Sequence, residues 1–250
     1  PWDLFKYNDA IIKSDFEIIT KGRTSASIPG SVKVTGDNIF IEESARLSHC
    51  IINTESGPVY IGKNAVVMEG CLLRGPLTVG DNASIKMGTK IYGATTIGPN
   101  CVAGGEIKNS ILMGYSNKAH DGYLGDSVLG YWCNLGAGTS NSNVKNTGGE
   151  VRYTLSANGE NISAGNKAGL LMGDYSRAAI NTSFNTGSVV GPCCNIFGRH
   201  IPATYIPAFT WGKEKYRLDK AFRDIENWMQ MKGKTLSAEE KNILEQLYKD

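Results

Sequence analysis

The chain has 250 residues, 41% hydrophobic and 20% charged, with 30 glycines, 8 prolines and a formal net charge of +2. A normal apolar fraction excludes a disordered chain, glycines off a three-residue period exclude collagen, and no apolar run reaches the roughly 18 residues of a membrane span. The near-neutral balance gives no reason to expect a nucleic-acid partner, whereas glycine stands well above its average of about 7% and needs a cause.

In chain order, Trp2 to Asp15 (WDLFKYNDAIIKSD) has apolar residues at helical spacing and predicts a helix. A first residue of Pro, with no signal segment, predicts a processed or truncated product, and nothing predicts secretion. From Ile61 a six-residue period runs through Val67, Leu73, Val79, Ile85, Ile91 and Ile97. The residue four further on is usually small: Ala65, Cys71, Ala83, Thr89, Thr95 and Cys101, with Leu77 the exception. Glycine often follows the aliphatic residue, as in Ile61-Gly62, Val79-Gly80 and Ile97-Gly98. The phase returns at Leu129-Gly130 with Cys133 and at Leu135-Gly136 with Thr139. It recurs out of phase around Ile41 and at Val190-Gly191 with Cys194.

A period of six fits neither a helix nor a plain strand. It fits an all-β solenoid of triangular section, the hexapeptide pattern of a left-handed parallel β-helix. Aliphatic residues point inward, small residues fit the tight packing, and glycine supplies the positive φ of sharp corners. From Ser31 to Phe209, at roughly 18 residues per coil, about eight to ten coils fit. Cys71, Cys101, Cys133 and Cys194 fall at the small inward position and read as small hydrophobes, not as a disulfide or metal framework.

Asn141 to Lys167 breaks the repeat. It is polar, with Gly148-Gly149 and Asn158-Gly159 turn pairs and an alternation of Val151, Tyr153 and Leu155 that predicts a projecting hairpin or loop. Lys213 to Met231 reads as a helix with Leu218, Ala221, Phe222, Ile225, Trp228 and Met229 on one face. Ser237 and Glu240 form a capping-box pattern opening a last helix. Helical ends would cap the solenoid or contact another subunit.

Chemistry concentrates in Gly104 to Asn146. Glu106, Lys108, Lys118, His120, Tyr123 and Asn134 gather there, and Glu106 lies 14 residues from His120, a spacing that lets neighbouring coils bring them together. A carboxylate that orients a histidine makes a general base, and the lysines could hold a phosphate. The three histidines, His49, His120 and His200, lack the spacing of a zinc site of the γ-type carbonic anhydrase kind, and no metal site is expected.

The stretch NKAHDGYLGDSVLGYWCNLGAGT resembles the signature of glucosamine-1-phosphate acetyltransferase. That enzyme is the C-terminal half of the bifunctional protein that makes UDP-N-acetylglucosamine, and the resemblance runs roughly from Ile61 to Gly198. It implies a homotrimeric β-helix that acetylates an amino-sugar phosphate with acetyl-CoA. Position by position it implies His120 as general base, Glu106 supporting it, and Asn143 near the reacting groups. It implies Lys90 and Lys108 at the sugar phosphate, and Tyr123 and Asn134 on the sugar. Ala137, Asn181 and Gly198 fall at the expected coenzyme groove.

This sequence departs from the family pattern at Val144, where the family has tyrosine, and at Ile180, where it has a serine. Lys145 or Arg152 could replace a family loop lysine. PWDLFKYN looks like the last element of a sugar-1-phosphate nucleotidyltransferase domain, as in glucose-1-phosphate thymidylyltransferase-like proteins. The expected organisation is therefore 1–30 as the end of a missing nucleotidyltransferase domain and linker, 31–210 as the β-helix acyltransferase, and 211–250 as C-terminal helices. Mg2+ would serve only the missing domain. A cytoplasmic location, with no membrane or nucleic-acid partner, goes with this reading. The alternative is a non-catalytic β-helix that trimerises or regulates an upstream sugar nucleotidyltransferase.

Overall fold

The computed structural model describes residues 1–156 and 158–249. Between Lys33 and Trp211 the chain winds into an all-β left-handed parallel β-helix of about ten turns, with a projecting loop and a helical C-terminal extension, the fold class the repeat predicts. Three faces run along the coil. Face one stacks Lys33–Thr35, Ile51–Asn53, Leu72–Arg74, Lys90–Ile91 and the first halves of Glu106–Leu112 and Tyr123–Leu129. Face two stacks Ile39–Ile41, Val59–Ile61, Leu77–Val79, Thr95–Ile97, the second halves of those two long strands, Leu170–Met172, Ser188–Val190 and Tyr205–Ile206. Face three runs from Arg46–Leu47 through Val102–Ala103, Asn117–Lys118 and Asn134–Leu135 to Thr210–Trp211.

The period of six is visible as burial. Ile61, Val67, Leu73, Val79, Ile85, Ile91 and Ile97 are each at most 2% exposed, and Ala65, Cys71, Ala83, Thr89, Thr95 and Cys101 between them are fully buried. Strands of two or three residues cannot bury a face alone, so stability comes from stacking these side chains coil on coil. All six cysteines are free and buried. Burial pushes the thiols of Cys50 and Cys101 up to about 11 and that of Cys133 up to about 12, which keeps them unreactive.

The glycines that follow the aliphatic residue work differently from the expected way. Gly62, Gly80 and Gly98 are not left-handed; a Cβ on Gly80 would sit 2.8 Å from Pro99 N in the next coil. Close approach of backbones is what excludes a side chain there. The left-handed corner falls two residues on, at Asn64, Asn82 and Asn100, with φ of 55°, 57° and 59°.

That corner column then changes from asparagine to aromatic side chains: Tyr115, Trp132, Tyr175 and, after Cys193, Phe209, all with positive φ. The rings of Tyr115 and Trp132 stack at 4.3 Å. Trp132, Tyr175 and Phe209 pack with Ala221, Ile225, Met229 and Leu244 of the C-terminal extension. The change of residue type thus marks where the extension docks. Helix α1 spans Asp3–Thr20, longer than predicted. It lies on face two, where Asn8 Nδ2 donates to the Ala94 carbonyl at 2.6 Å and Thr96 Oγ1 donates to Asn8 Oδ1 at 2.9 Å. Helix α2 is Leu218–Gln230; it starts late because Thr210–Trp211 and Glu214–Lys215 pair as antiparallel strands. Helix α3 is Ala238–Lys249 and carries both bonds of the predicted capping box: Ser237 N donates to Glu240 Oε2 at 2.7 Å, and Glu240 N to Ser237 Oγ at 3.1 Å. The predicted hairpin is formed by Val151–Thr154 against Asn161–Gly165.

Candidate active site

The coil tightens where the chemistry-bearing residues lie. Val79 pairs with Ile97, eighteen residues on, but Ile97 pairs with Leu112, only fifteen on. Between faces one and two the corner shrinks to a single left-handed residue, Asn109 (φ 46°) in one coil and Asp126 (φ 48°) in the next. The strands Glu106–Leu112 and Tyr123–Leu129 therefore run straight through the corner.

This tight corner buries the Asp126 carboxylate. Asn109 Nδ2 donates to Asp126 Oδ1 at 2.6 Å, and Asn143 Nδ2 donates to Asp126 Oδ2 at 2.5 Å. Asn143 Nδ2 also donates to the Tyr123 hydroxyl at 3.1 Å. Burial, with the nearby charges of Asp126 and Glu106, pushes the Tyr123 phenol up to about 12, so it stays neutral and keeps a proton to donate. Asp126 and Asn109 were not singled out from the sequence; the Asp of Tyr-Leu-Gly-Asp was the available signal.

The expected residues fall into three groups. Lys90, Glu106 and Tyr123 stand in register on face one, and Lys108 follows two residues after Glu106 on the same outward side. Lys90 and Lys108 are exposed, with Glu106 and Tyr123 half-buried. The second group lies on the edge between faces three and one. His120 is exposed there, Asn181 N donates to the Ala137 carbonyl at 2.7 Å in the following coils, and Gly198 comes one coil later. Asn134 stands apart on face three, in register with Asn117 and Arg177. Among the described residues, Glu106 makes no hydrogen bond or ion pair to His120.

Between the projecting loop and the coil lies a groove of about 850 Å³. Asn141, Val144, Lys145, Arg152, Ser183 and Thr186 line it. Both residues that could replace the family's loop lysine, Lys145 and Arg152, are therefore in one groove, beside Asn143.

Lys118 overturns an expectation. It holds no surface phosphate, because its side chain points into the coil and is fully buried. Burial pulls its amine down to about 8. Between pH 8 and about 10.5 the unfolded chain then binds more protons than the folded one, so Lys118's contribution to stability increases as pH rises through that window. Relative to Lys118→Met, the wild-type protein is expected to gain about 2 kcal/mol between pH 7 and pH 9.5, read by urea denaturation at both values. A difference that is flat with pH would contradict the depressed amine.

The chain is a hexapeptide-repeat β-helix, and its signature resembles that of the acetyltransferase half of bifunctional sugar-phosphate enzymes. No family model matches the chain. Over 201 residues it is 31% identical to the bifunctional protein GlmU of Methanococcus vannielii, a match covering 76% of this chain and 40% of that protein. Over 93 residues it is 34% identical to the bifunctional sugar-1-phosphate nucleotidylyltransferase/acetyltransferase of Sulfurisphaera tokodaii, covering 37% and 23% respectively. The chain thus resembles these bifunctional proteins, as its signature implies, and spans less than half the length of the curated relatives it matches. A solved Bacillus cereus protein, proposed to be an acetyltransferase, matches at 12% identity and a TM-score of 0.38, over 87% of this chain and 90% of its own; so distant a likeness carries no argument.

Proposed function

We propose that this coil is an acyl-CoA-dependent N-acetyltransferase acting on an amino-sugar phosphate of the glucosamine-1-phosphate kind. The observation that carries the reading is the stretch Asn117–Thr139 laid into a β-helix, with Asn143 donating to both the Asp126 carboxylate and the Tyr123 hydroxyl and with His120, Lys90 and Lys108 exposed. Lys90 and Lys108 would bind the phosphate and fix the sugar, and Tyr123 and Asn143 would meet its hydroxyl groups. His120 would take the proton released as the amine attacks the thioester carbonyl, with Glu106 favouring the charged imidazole. The main-chain N–H of Ala137 would stabilise the oxyanion, and Asn181 and Gly198 would line the path of the coenzyme. The reading includes a homotrimer with acetyl-CoA between neighbouring coils, a cytoplasmic location, and an upstream nucleotidyltransferase domain that holds any Mg2+.

Calorimetric titration with acetyl-CoA, then a transfer assay across amino-sugar phosphates, tests this. Binding and acetylation are expected, and His120→Ala is expected to lower kcat at least about a hundredfold while acetyl-CoA still binds. Unchanged transfer by His120→Ala would remove the base. A second reading, a non-catalytic trimerising or regulatory β-helix, is favoured by Val144, by Ile180 and by the missing Glu106–His120 bond. Absence of any acyl-CoA binding would establish it over the first.

A further inference from the structure

We propose that Lys118 is a positioning residue for His120, a buried amine that fixes the backbone from which the imidazole projects. The proposal rests on the reading of His120 as general base. On the inward side of face three, Lys118 follows Ile85 and Ala103 in a column of apolar side chains that continues with Leu135 and Ala178. An aliphatic residue there would complete the core at no desolvation cost, whereas burying an ammonium is expensive unless it is hydrogen-bonded. Lys118 is nonetheless fully buried, among the largest side chains so enclosed.

Its Nζ reaches the corner where the chain leaves face three. It donates to the His120 carbonyl at 2.5 Å and, at 3.4 Å, to the Gly104 carbonyl of the preceding coil. No carboxylate is hydrogen-bonded to it among the described residues; Asp121 acts only as a nearby charge. The corner it pins is made of glycine: Gly104 and Gly105 in one coil, and Gly122, with a φ of 123°, just after His120 in the next. A Cβ on Gly104 would lie 2.4 Å from the Ala119 carbonyl oxygen, so the two coils touch through bare backbone. Such a corner has no side chain to lock it. The lysine ties the two carbonyls together from inside and sets the direction in which the His120 imidazole leaves the coil.

Lys118→Met keeps the length of the side chain and suits the apolar column, so the coil is expected to fold. The variant is compared with wild type in the full chain, by steady-state kinetics and by NMR of 15N-labelled histidine, with His120 assigned through His120→Ala. The expected result is a kcat about tenfold or more lower with both KM values changed less than about twofold, and shifted or broadened His120 signals while His49 and His200 stay put. Lys118→Gln, which keeps a donor, is expected to fall between. If Lys118→Met fails to fold, Lys118→Gln carries the same readouts. Unchanged kcat and unchanged His120 signals would overturn the proposal, as would movement of all three histidines together, the mark of general loosening. If wild type transfers no acyl group, the proposed function fails, and the histidine spectra alone decide whether Lys118 sets the position of His120.

Discussion

Gly98→Ala is expected to cost more than about 4 kcal/mol, far beyond the usual effect of one added methyl group. Gly98 is not left-handed, so backbone strain is not the reason. A Cβ at this position would stand 1.5 Å from the Met113 carbonyl oxygen and 2.5 Å from that of Leu112. Both atoms are backbone, and Gly98 N already donates to Leu112 O at 2.7 Å, so neither side can move without breaking the ladder. The close approach comes from the fifteen-residue coil: with three residues fewer than its predecessors, the chain after Ile97 returns to the same edge early. Gly88→Ala is the control. Gly88 has a φ of 71° and open space around it, so its alanine pays only the left-handed penalty, on the order of 1–2 kcal/mol. Urea denaturation of the two variants separates the causes. Equal losses would refute the argument from coil spacing.

The same shortening explains what could and could not be read from the residues. From Ile61 to Ile97 the coil keeps eighteen residues per turn, so inward positions repeat in the sequence and the core was legible there. After Ile97 the pairing steps change to fifteen and then seventeen residues, as Ile97 meets Leu112 and Leu112 meets Leu129. Apart from Lys118 in its column, the inward strand positions stay largely apolar but lose their phase. Outward residues never had a phase, because solvent constrains them little. Asn134 was therefore grouped with Tyr123 by nearness in sequence, although the coil places them on different faces. Lys118 was read as a surface charge for a similar reason: nothing local distinguishes a lysine pointing out from one pointing into the column between Ala103 and Leu135. The aromatic corner of Tyr115, Trp132 and Tyr175 was legible as composition only. Its meaning depends on helices α2 and α3, which dock from far along the chain. The capping box of Ser237 and Glu240, by contrast, is a local device, and it formed as read.

Tyr153→Ala is expected to cost about 3–5 kcal/mol, yet to leave the coil standing. Tyr153 is the largest fully buried side chain outside the solenoid core. It rises from the projecting hairpin and its hydroxyl donates to the Gly169 carbonyl at 3.2 Å, where the chain rejoins the coil. Its ring stacks on Trp2, next to α1, with centroids 5.5 Å apart. Phe5 of α1, Val151 and Ala164 of the hairpin, and Val128 and Leu171 on the outside of face two complete one cluster. The two segments that leave the repeat thus share an anchor, separate from the stacked aliphatic core. Removing the ring should therefore open both segments together. Hydrogen exchange is expected to rise across residues 3–20 and 151–165, while the strands from Val59 to Ile97 stay protected. Tyr153→Phe keeps the ring and loses one hydrogen bond, and should cost about 1 kcal/mol. The hairpin also carries Arg152, which lines the groove with Lys145, so opening it should weaken any ligand held there. Exchange that rises evenly over the whole chain would instead make Tyr153 part of the main core. The separation matters for the proposed chemistry, because it makes the groove wall an element that can loosen without unwinding the coil that carries His120.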